Sequence, residues 1–208
     1  MGKVTTRSIT IRPLPISDTH LLVPAPFGDE RGRFLETVRT DVLADAVGHP
    51  VRIVQTNQSI SRRGVLRGIH ATSVPDGQAK IVTCLRGAAL DFAVDLRVGS
   101  PTFARWAMTV LDARSGASVY LGEGIGHAFY ALQDDTCVQY QCSETYVPEQ
   151  VITVDVFDPQ IGIAMHLPEP PVLSETDAAA PSLADLRSAG RLPRYEDCLN
   201  LHAVPTRV

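Results

Sequence analysis

The sequence predicts a mainly β chain folded as an antiparallel jelly-roll barrel with a few short helices. Two observations carry this. Between residues 51 and 155 nearly every apolar cluster is four to eight residues long, alternating or β-branched, and closed by Gly, Pro, Asp or Ser. Turn text recurs between the clusters, at Arg86-Gly87, Val98-Gly99-Ser100-Pro101 and Arg114-Ser115-Gly116.

The first segment, residues 5–35, consists of short apolar runs broken by proline and glycine. It ends in Phe27-Gly28-Asp29-Glu30-Arg31-Gly32-Arg33-Phe34, a turn leading into a strand. Residues 35–47, including Glu36, are expected to form the one helix of the first half. Strands are expected at 52–55, 80–85, 89–96, 106–111, 118–121 and 137–140. Near the end, Ser182 can cap a short helix over 182–189, and the Gly- and Pro-containing text beyond it reads as coil. No internal repeat, heptad pattern or low-complexity linker interrupts the chain.

At 208 residues, with 44% hydrophobic and 20% charged residues, the chain suits one globular domain over 1–208. A net charge of −4 gives no general attraction to nucleic acid or to an anionic membrane, so a bound phosphate must be held by a few placed cations. No stretch has the roughly 18 apolar residues of a membrane span, and the first residues lack a secretory apolar run, so a cytoplasmic location is expected. Cys84, Cys137, Cys142 and Cys198 form no CxxC pair and read as buried free thiols. Lysine occurs only at Lys3 and Lys80.

The densest polar text is Gln55-Thr56-Asn57-Gln58-Ser59, followed by Arg67-Gly68-Ile69-His70 and Lys80. On a strand, Gln55, Asn57 and Ser59 share one face, and if that face is interior the row lines a polar pocket. A histidine near a strand is more often a structural hydrogen-bonder than a catalyst, but His70 has Arg67, Lys80 and His127 for company. Tyr140, Tyr146 and Asp177 taken singly would pass for strand-end and loop residues. A histidine-bearing jelly roll also suggests a metal-dependent cupin. Thr72 stands where the second histidine of an HxH pair would be, and two histidines without a carboxylate make a poor divalent site. No metal and no cofactor are expected, and the pocket is left to acid–base chemistry.

Taken together, these pieces resemble the thymidine-diphosphate (dTDP)-4-dehydrorhamnose 3,5-epimerase family and its relatives that epimerise only at C3 in antibiotic deoxysugar pathways. The resemblance covers about residues 27–186. Its blocks are Asp29-Glu30-Arg31-Gly32-Arg33-Phe34-Leu35-Glu36, Gln55-Thr56-Asn57-Gln58-Ser59, Gly64-Val65-Leu66-Arg67-Gly68-Ile69-His70, Gln78-Ala79-Lys80, Asp95-Leu96-Arg97-Val98-Gly99-Ser100-Pro101-Thr102-Phe103, Gly126-His127-Ala128-Phe129 and Ser174-Glu175-Thr176-Asp177.

The resemblance implies a cupin-like double-stranded β-helix and a dTDP-linked 4-keto-6-deoxy sugar as substrate. It implies His70 as the base, Asp177 as its partner, Lys80 at the C4 oxygen and Tyr140 as the proton donor on the opposite face. Arg67 and Arg31 are implied at the diphosphate and nucleotide, with Gln55, Asn57 and His127 around the sugar and phosphates. Glu36 is implied near the base and Tyr146 near the nucleotide end. It also implies a homodimer that exchanges N-terminal strands.

This chain departs from the family pattern in several places. Ala71-Thr72 replace Tyr-Gln after His70, Ala128 replaces the glycine of His-Gly-Phe, Thr176 replaces a lysine and Val151 a glutamate. The last two remove charges associated with substrate binding but leave His70, Lys80, Tyr140 and Asp177 in place. The His127-Ala128-Phe129 form resembles the antibiotic-sugar branch, so C3-only epimerisation is expected ahead of 3,5-epimerisation. A sugar 3,4-ketoisomerase and a non-catalytic sugar-nucleotide-binding barrel are the competing readings.

Overall fold

The computed structural model describes residues 2–203. Its strands are β1 (Val4–Thr5), β2 (Ile9–Pro13), β3 (Thr19–Pro24), β4 (Pro26–Asp29), β5 (Gly32–Leu35), β6 (Gln55–Ser61), β7 (Leu66–Thr72), β8 (Lys80–Arg86), β9 (Ala88–Asp95), β10 (Trp106–Asp112), β11 (Ser118–Leu121), β12 (Ile125–Ala131), β13 (Thr136–Cys142) and β14 (Val151–Thr153). The helices are α1 (Thr40–Val47), α2 (Glu175–Ala178), α3 (Leu183–Ser188) and α4 (Tyr195–Ala203). One sheet runs β1-β2-β3-β11-β8-β13-β6 and the other β10-β9-β12-β7-β14, while β4 and β5 pair only with each other. The strand pairings are antiparallel. This is the mainly β class that the short, turn-bounded strands predicted.

Three apolar clusters hold the layers. Val82, Val119, Phe129 and Val138 pack between the two sheets. Ile69, Phe92, Ala128 and Tyr130 pack on the outer face of the five-stranded sheet beneath Ile152, Val154, Leu183 and Leu186. On the outer face of the other sheet, Ile9, Ile11, Ile81 and Tyr120 meet Val42, Leu43 and Ala46 of α1. Strand β12 is therefore covered on both faces and is buried along its whole length. Its text accordingly lacks the polar–apolar alternation of a half-exposed strand.

Three boundaries differ from expectation. Leu35 pairs with Pro26 in the β4–β5 hairpin, and Arg39 is still extended (φ −127°), so the first helix begins only at Thr40. Its end follows the usual rule: Gly48 adopts φ 91° and its N–H returns to the Ala44 carbonyl. Residues 52–54 precede β6 rather than opening it, and Val54 N–H donates to the Cys142 carbonyl at the end of β13. The text after residue 189 is not coil throughout. It folds into α4, whose Cys198 is buried against the barrel and whose Tyr195 ring receives the Arg97 guanidinium at 4.8 Å. Tertiary contact rather than a strong apolar period makes this helix.

Strand β7 sets up the site. His127 pairs with His70 and Phe129 with Arg67, so three steps along β7 match two along β12. The extra residue is a bulge at Gly68 and Ile69. Gly68 takes φ +102°, and a Cβ there would stand 2.3 Å from the His127 carbonyl oxygen, so only glycine fits. In a regular strand Arg67 and His70 would face opposite sides. The bulge turns both into one pocket.

Candidate active site

Seven of the residues singled out in the sequence line one cavity of about 430 Å³: Asn57, Arg67, His70, Lys80, Tyr140, Tyr146 and Asp177. They come from β6, β7, β8, β13, the loop after β13 and α2. His70 Nε2 lies 2.6 Å from Asp177 Oδ1. A carboxylate only accepts, so Nε2 donates to it and the Nδ1 lone pair is left to take a proton. Asp177 is held in turn by its helix end, where its own N–H donates to the Ser174 Oγ cap at 3.0 Å. Burial pulls the His70 imidazole below its usual value, and the Asp177 carboxylate works against that pull.

Lys80 and Cys142 are Cα partners across β8 and β13. Burial pulls the Lys80 ammonium down, while the same environment pushes the Cys142 thiol up. Among the described residues no carboxylate is ion-paired with Lys80, which leaves its charge available to an oxyanion. Tyr140 OH lies 3.3 Å from Ser59 Oγ, and burial raises its phenol well above the ordinary value, so it stands protonated. Arg67 donates from Nε to Ser61 Oγ at 3.1 Å, which aims the rest of the guanidinium into the cavity.

The other four residues lie off this wall. Gln55 is committed to structure: Nε2 donates to Asn57 Oδ1 at 2.9 Å and Oε1 accepts from the Tyr146 backbone at 2.9 Å. It therefore fixes two residues of the pocket. His127 is 5% exposed, with Nε2 at 2.6 Å from Asp91 Oδ2 and its ring edge-on to Tyr140 at 5.7 Å. Arg31, on the β4–β5 hairpin, is 90% exposed and pairs with its neighbour Asp29. Glu36 accepts from Ser8 Oγ at 3.0 Å. Within one chain neither of these last two reaches the cavity.

Sequence reasoning missed Asp91 and Ser61, and it read Cys142 as a buried thiol without placing it in the cavity wall. The signal for Asp91 was a carboxylate inside the apolar run Ala89-Leu90-Asp91-Phe92-Ala93-Val94, where an acid needs a buried partner. The four cysteines are free and buried, as expected. Among the described residues no group of three or more His, Cys, Asp or Glu side chains is placed to hold a metal ion, and no helix is long and apolar enough to cross a membrane.

Residues 13–185 match the family model described as dTDP-4-dehydrorhamnose 3,5-epimerase. A dTDP-4-dehydrorhamnose 3,5-epimerase of Mycolicibacterium smegmatis is 45% identical over 192 residues, covering 91% of this chain and 94% of that one. A dTDP-4-dehydrorhamnose 3-epimerase of Streptomyces niveus is 47% identical over 188 residues, 90% of each chain. The crystal structure of NovW, a 4-keto-6-deoxy sugar epimerase from the novobiocin gene cluster of Streptomyces spheroides, superposes with a TM-score of 0.87 at 45% identity, covering 95% of this chain and 98% of that one. With a jelly-roll pocket built on His70, Asp177, Lys80 and Tyr140, and with relatives this similar over nearly their full length, the chain belongs to the dTDP-4-dehydrorhamnose 3,5-epimerase family of isomerases.

Proposed function

We propose that the chain epimerises dTDP-4-keto-6-deoxyglucose at C3, in deoxysugar biosynthesis and without a cofactor. The observation that carries this reading is the convergence of a His70–Asp177 pair, an ammonium without a carboxylate and a buried phenol on one cavity. A hydrogen beside a ketone is acidic enough for an imidazole when the developing oxyanion meets a preorganised donor. His70 Nδ1 takes the C3 proton, the bonding pair moves to make the C3–C4 double bond, and the C4 oxygen takes up the negative charge beside Lys80. The Tyr140 hydroxyl returns a proton to C3 on the other face as the carbonyl re-forms. Solvent then takes the proton from His70 and restores the phenol. Arg67 holds the diphosphate by charge-assisted hydrogen bonds.

C3 and C5 flank the same ketone, so the same groups serve a 3,5-epimerase, which is the second reading. The His127-Ala128-Phe129 form supports C3 alone. A non-catalytic binder would leave the His70–Asp177 pair and Tyr140 without a purpose. Proton NMR in deuterated water with dTDP-4-keto-6-deoxyglucose tests all three. Loss of the C3 hydrogen signal alone is expected, loss at C3 and C5 establishes the 3,5-epimerase, and no loss removes the epimerase reading.

We further propose a cytoplasmic homodimer of one-domain subunits. Phe27 and Phe34 of the β4–β5 hairpin are 52% and 66% exposed, and Arg31 stands free of its own pocket, which supports a hairpin seated on a second copy. Light scattering that gives a monomer mass overturns this.

A further inference from the structure

A second cavity, about 520 Å³, lies behind the catalytic one. The two share a wall made of residues 76–80 and 142–147, whose residues divide between them. Gly77, Ala79, Ser143 and Thr145 face the second cavity, while Gln78, Lys80, Cys142 and Tyr146 face the catalytic one. The two halves of the wall are tied together: Ala79 N–H donates to Ser143 Oγ at 2.9 Å, Ser143 N–H to the Ala79 carbonyl at 3.0 Å, and Gln78 Nε2 to the Glu144 carbonyl at 2.7 Å. These hydrogen bonds hold the two segments of the wall as one unit.

Helix α4 packs against the far side of this wall. His202 Nε2 lies 3.0 Å from Glu123 Oε2, and its ring stacks on His49 with centroids 3.4 Å apart and planes 9° apart. Glu123 and Leu201 close on Gly77, where an added Cβ would meet Glu123 Cγ at 3.0 Å and Leu201 Cδ1 at 3.1 Å. The contact path runs from His202 through Glu123 to Gly77, three residues before Lys80. The mechanism above makes no use of it.

We propose that α4, through His202 and Leu201, is a positioning element that fixes where the wall carries Lys80 and Gln78 in the catalytic cavity. This rests on the assignment of Lys80 to the C4 oxygen. Misplacing an oxyanion donor by a fraction of an ångström lowers kcat and leaves binding of the nucleotide end alone. The groups facing His202 are Glu123 and His49, with Asp18, Arg97 and Cys198 in the small cavity beside it, Arg52, Asp76 and Glu144 around the larger one, and Tyr120 between the two. Glu123 holds the His202 imidazole above its usual value, while burial holds His49 below. With Glu123 ionised, the ion pair is complete up to about pH 6.5 and is lost as pH rises through the raised His202 value.

Because the chain has two lysines, Lys80 can be watched directly. Reductive methylation with ¹³C-formaldehyde labels Lys3, Lys80 and the N-terminus, and Lys80→Arg assigns the Lys80 resonance. His202→Ala is expected to shift that resonance and to lower kcat for C3 exchange roughly three- to tenfold with KM little changed. His202→Gln, which still donates to Glu123, is expected to restore both and to abolish their dependence on pH above neutrality. Leu201→Ala removes the contact with Gly77 without touching a charge and is expected to shift the resonance as well. A Lys80 resonance unmoved in both His202→Ala and Leu201→Ala overturns the proposal whatever the activity. Absence of C3 exchange in the unaltered protein strikes the epimerase reading instead, and the resonance still decides the role of α4.

Discussion

Replacing Asp177 by Asn tests the base assignment where it is most exposed to refutation. The side chain keeps its size and its place beside Ser174, but an amide can donate to His70 Nε2 at 2.6 Å where the carboxylate only accepts. With the amide nitrogen toward His70, the imidazole proton moves to Nδ1, and the nitrogen assigned as the base loses its lone pair. The charge term adds to this. An imidazolium and a carboxylate about 4 Å apart attract by roughly 4 kcal/mol at an effective dielectric of 20. His70 is 40% exposed, so solvent screening reduces that to about 2 kcal/mol, or some 30-fold in rate. Tautomer and charge together give an expected loss of about 10³-fold in kcat for C3 exchange. The pH profile gives an independent sign. His70 acts as a base only when neutral, and Asp177 is what holds its value up against burial. Removing that carboxylate lowers the imidazole further, so the acidic limb of the profile moves to lower pH. Stopped-time NMR of C3 exchange between pH 4 and 9 measures both effects. An Asp177→Asn protein within tenfold of the parent, with its acidic limb unmoved, refutes His70 Nδ1 as the base.

Three further outcomes are expected. Tyr140→Phe should retain C3 hydrogen exchange but fail to give inverted product; full product in NMR would remove Tyr140 as the donor. Lys80→Arg should lose about 10²-fold in kcat despite keeping its charge, because a broad guanidinium does not fit where a compact ammonium meets one oxygen; near-parental kcat would remove Lys80 from the oxyanion. Arg97→Met should lower unfolding free energy in urea by about 3–5 kcal/mol, since Arg97 is 1% exposed and its loss leaves the fully buried Asp95 unpaired; a loss under 1 kcal/mol would show that Ser100 and Thr102 satisfy Asp95 by themselves.

The block from Asp95 to Phe103 shows what motif reading can and cannot tell. It is among the segments that carry the family resemblance, yet its polar residues face no substrate cavity. Asp95 accepts from Arg97 Nε, Ser100 Oγ and Thr102 Oγ1 at 2.9, 2.5 and 2.6 Å, and Arg97 reaches on to Asp18 and the Ser17 carbonyl. The motif staples β9 to the turn before β3. Strand positions were legible because β-branched runs ended at turn residues, as at Lys80–Arg86 and Ser118–Leu121. The His70–Asp177 pair spans 107 residues, so no local pattern encodes it, and only the family resemblance brought it out. Helix α4 was illegible for a different reason: its Pro- and Gly-flanked text forms a helix only against Glu123, His49 and Arg97.

Among the described residues, two of the three histidine–carboxylate pairs share one length, and exposure decides between those two. His127–Asp91 and His70–Asp177 are both 2.6 Å contacts, and His127 and His70 are direct neighbours across β12 and β7. Distance and sequence company therefore give no reason to prefer either as a base. His70 is 40% exposed toward the cavity, whereas His127 is 5% exposed and lies beside Phe129 and Tyr140. A base must reach a carbon-bound hydrogen within about 3 Å and then exchange its proton with solvent. A ring that is 5% exposed, beside Phe129 and edge-on to Tyr140, does neither. Its pairing with Asp91 has a different effect: it keeps a polar ring satisfied inside the barrel, where its edge abuts the ring of Tyr140. The same two residue types at the same separation thus differ in access, with His70 open to the cavity and His127 enclosed beside it, and this is what favours His70 as the proposed base.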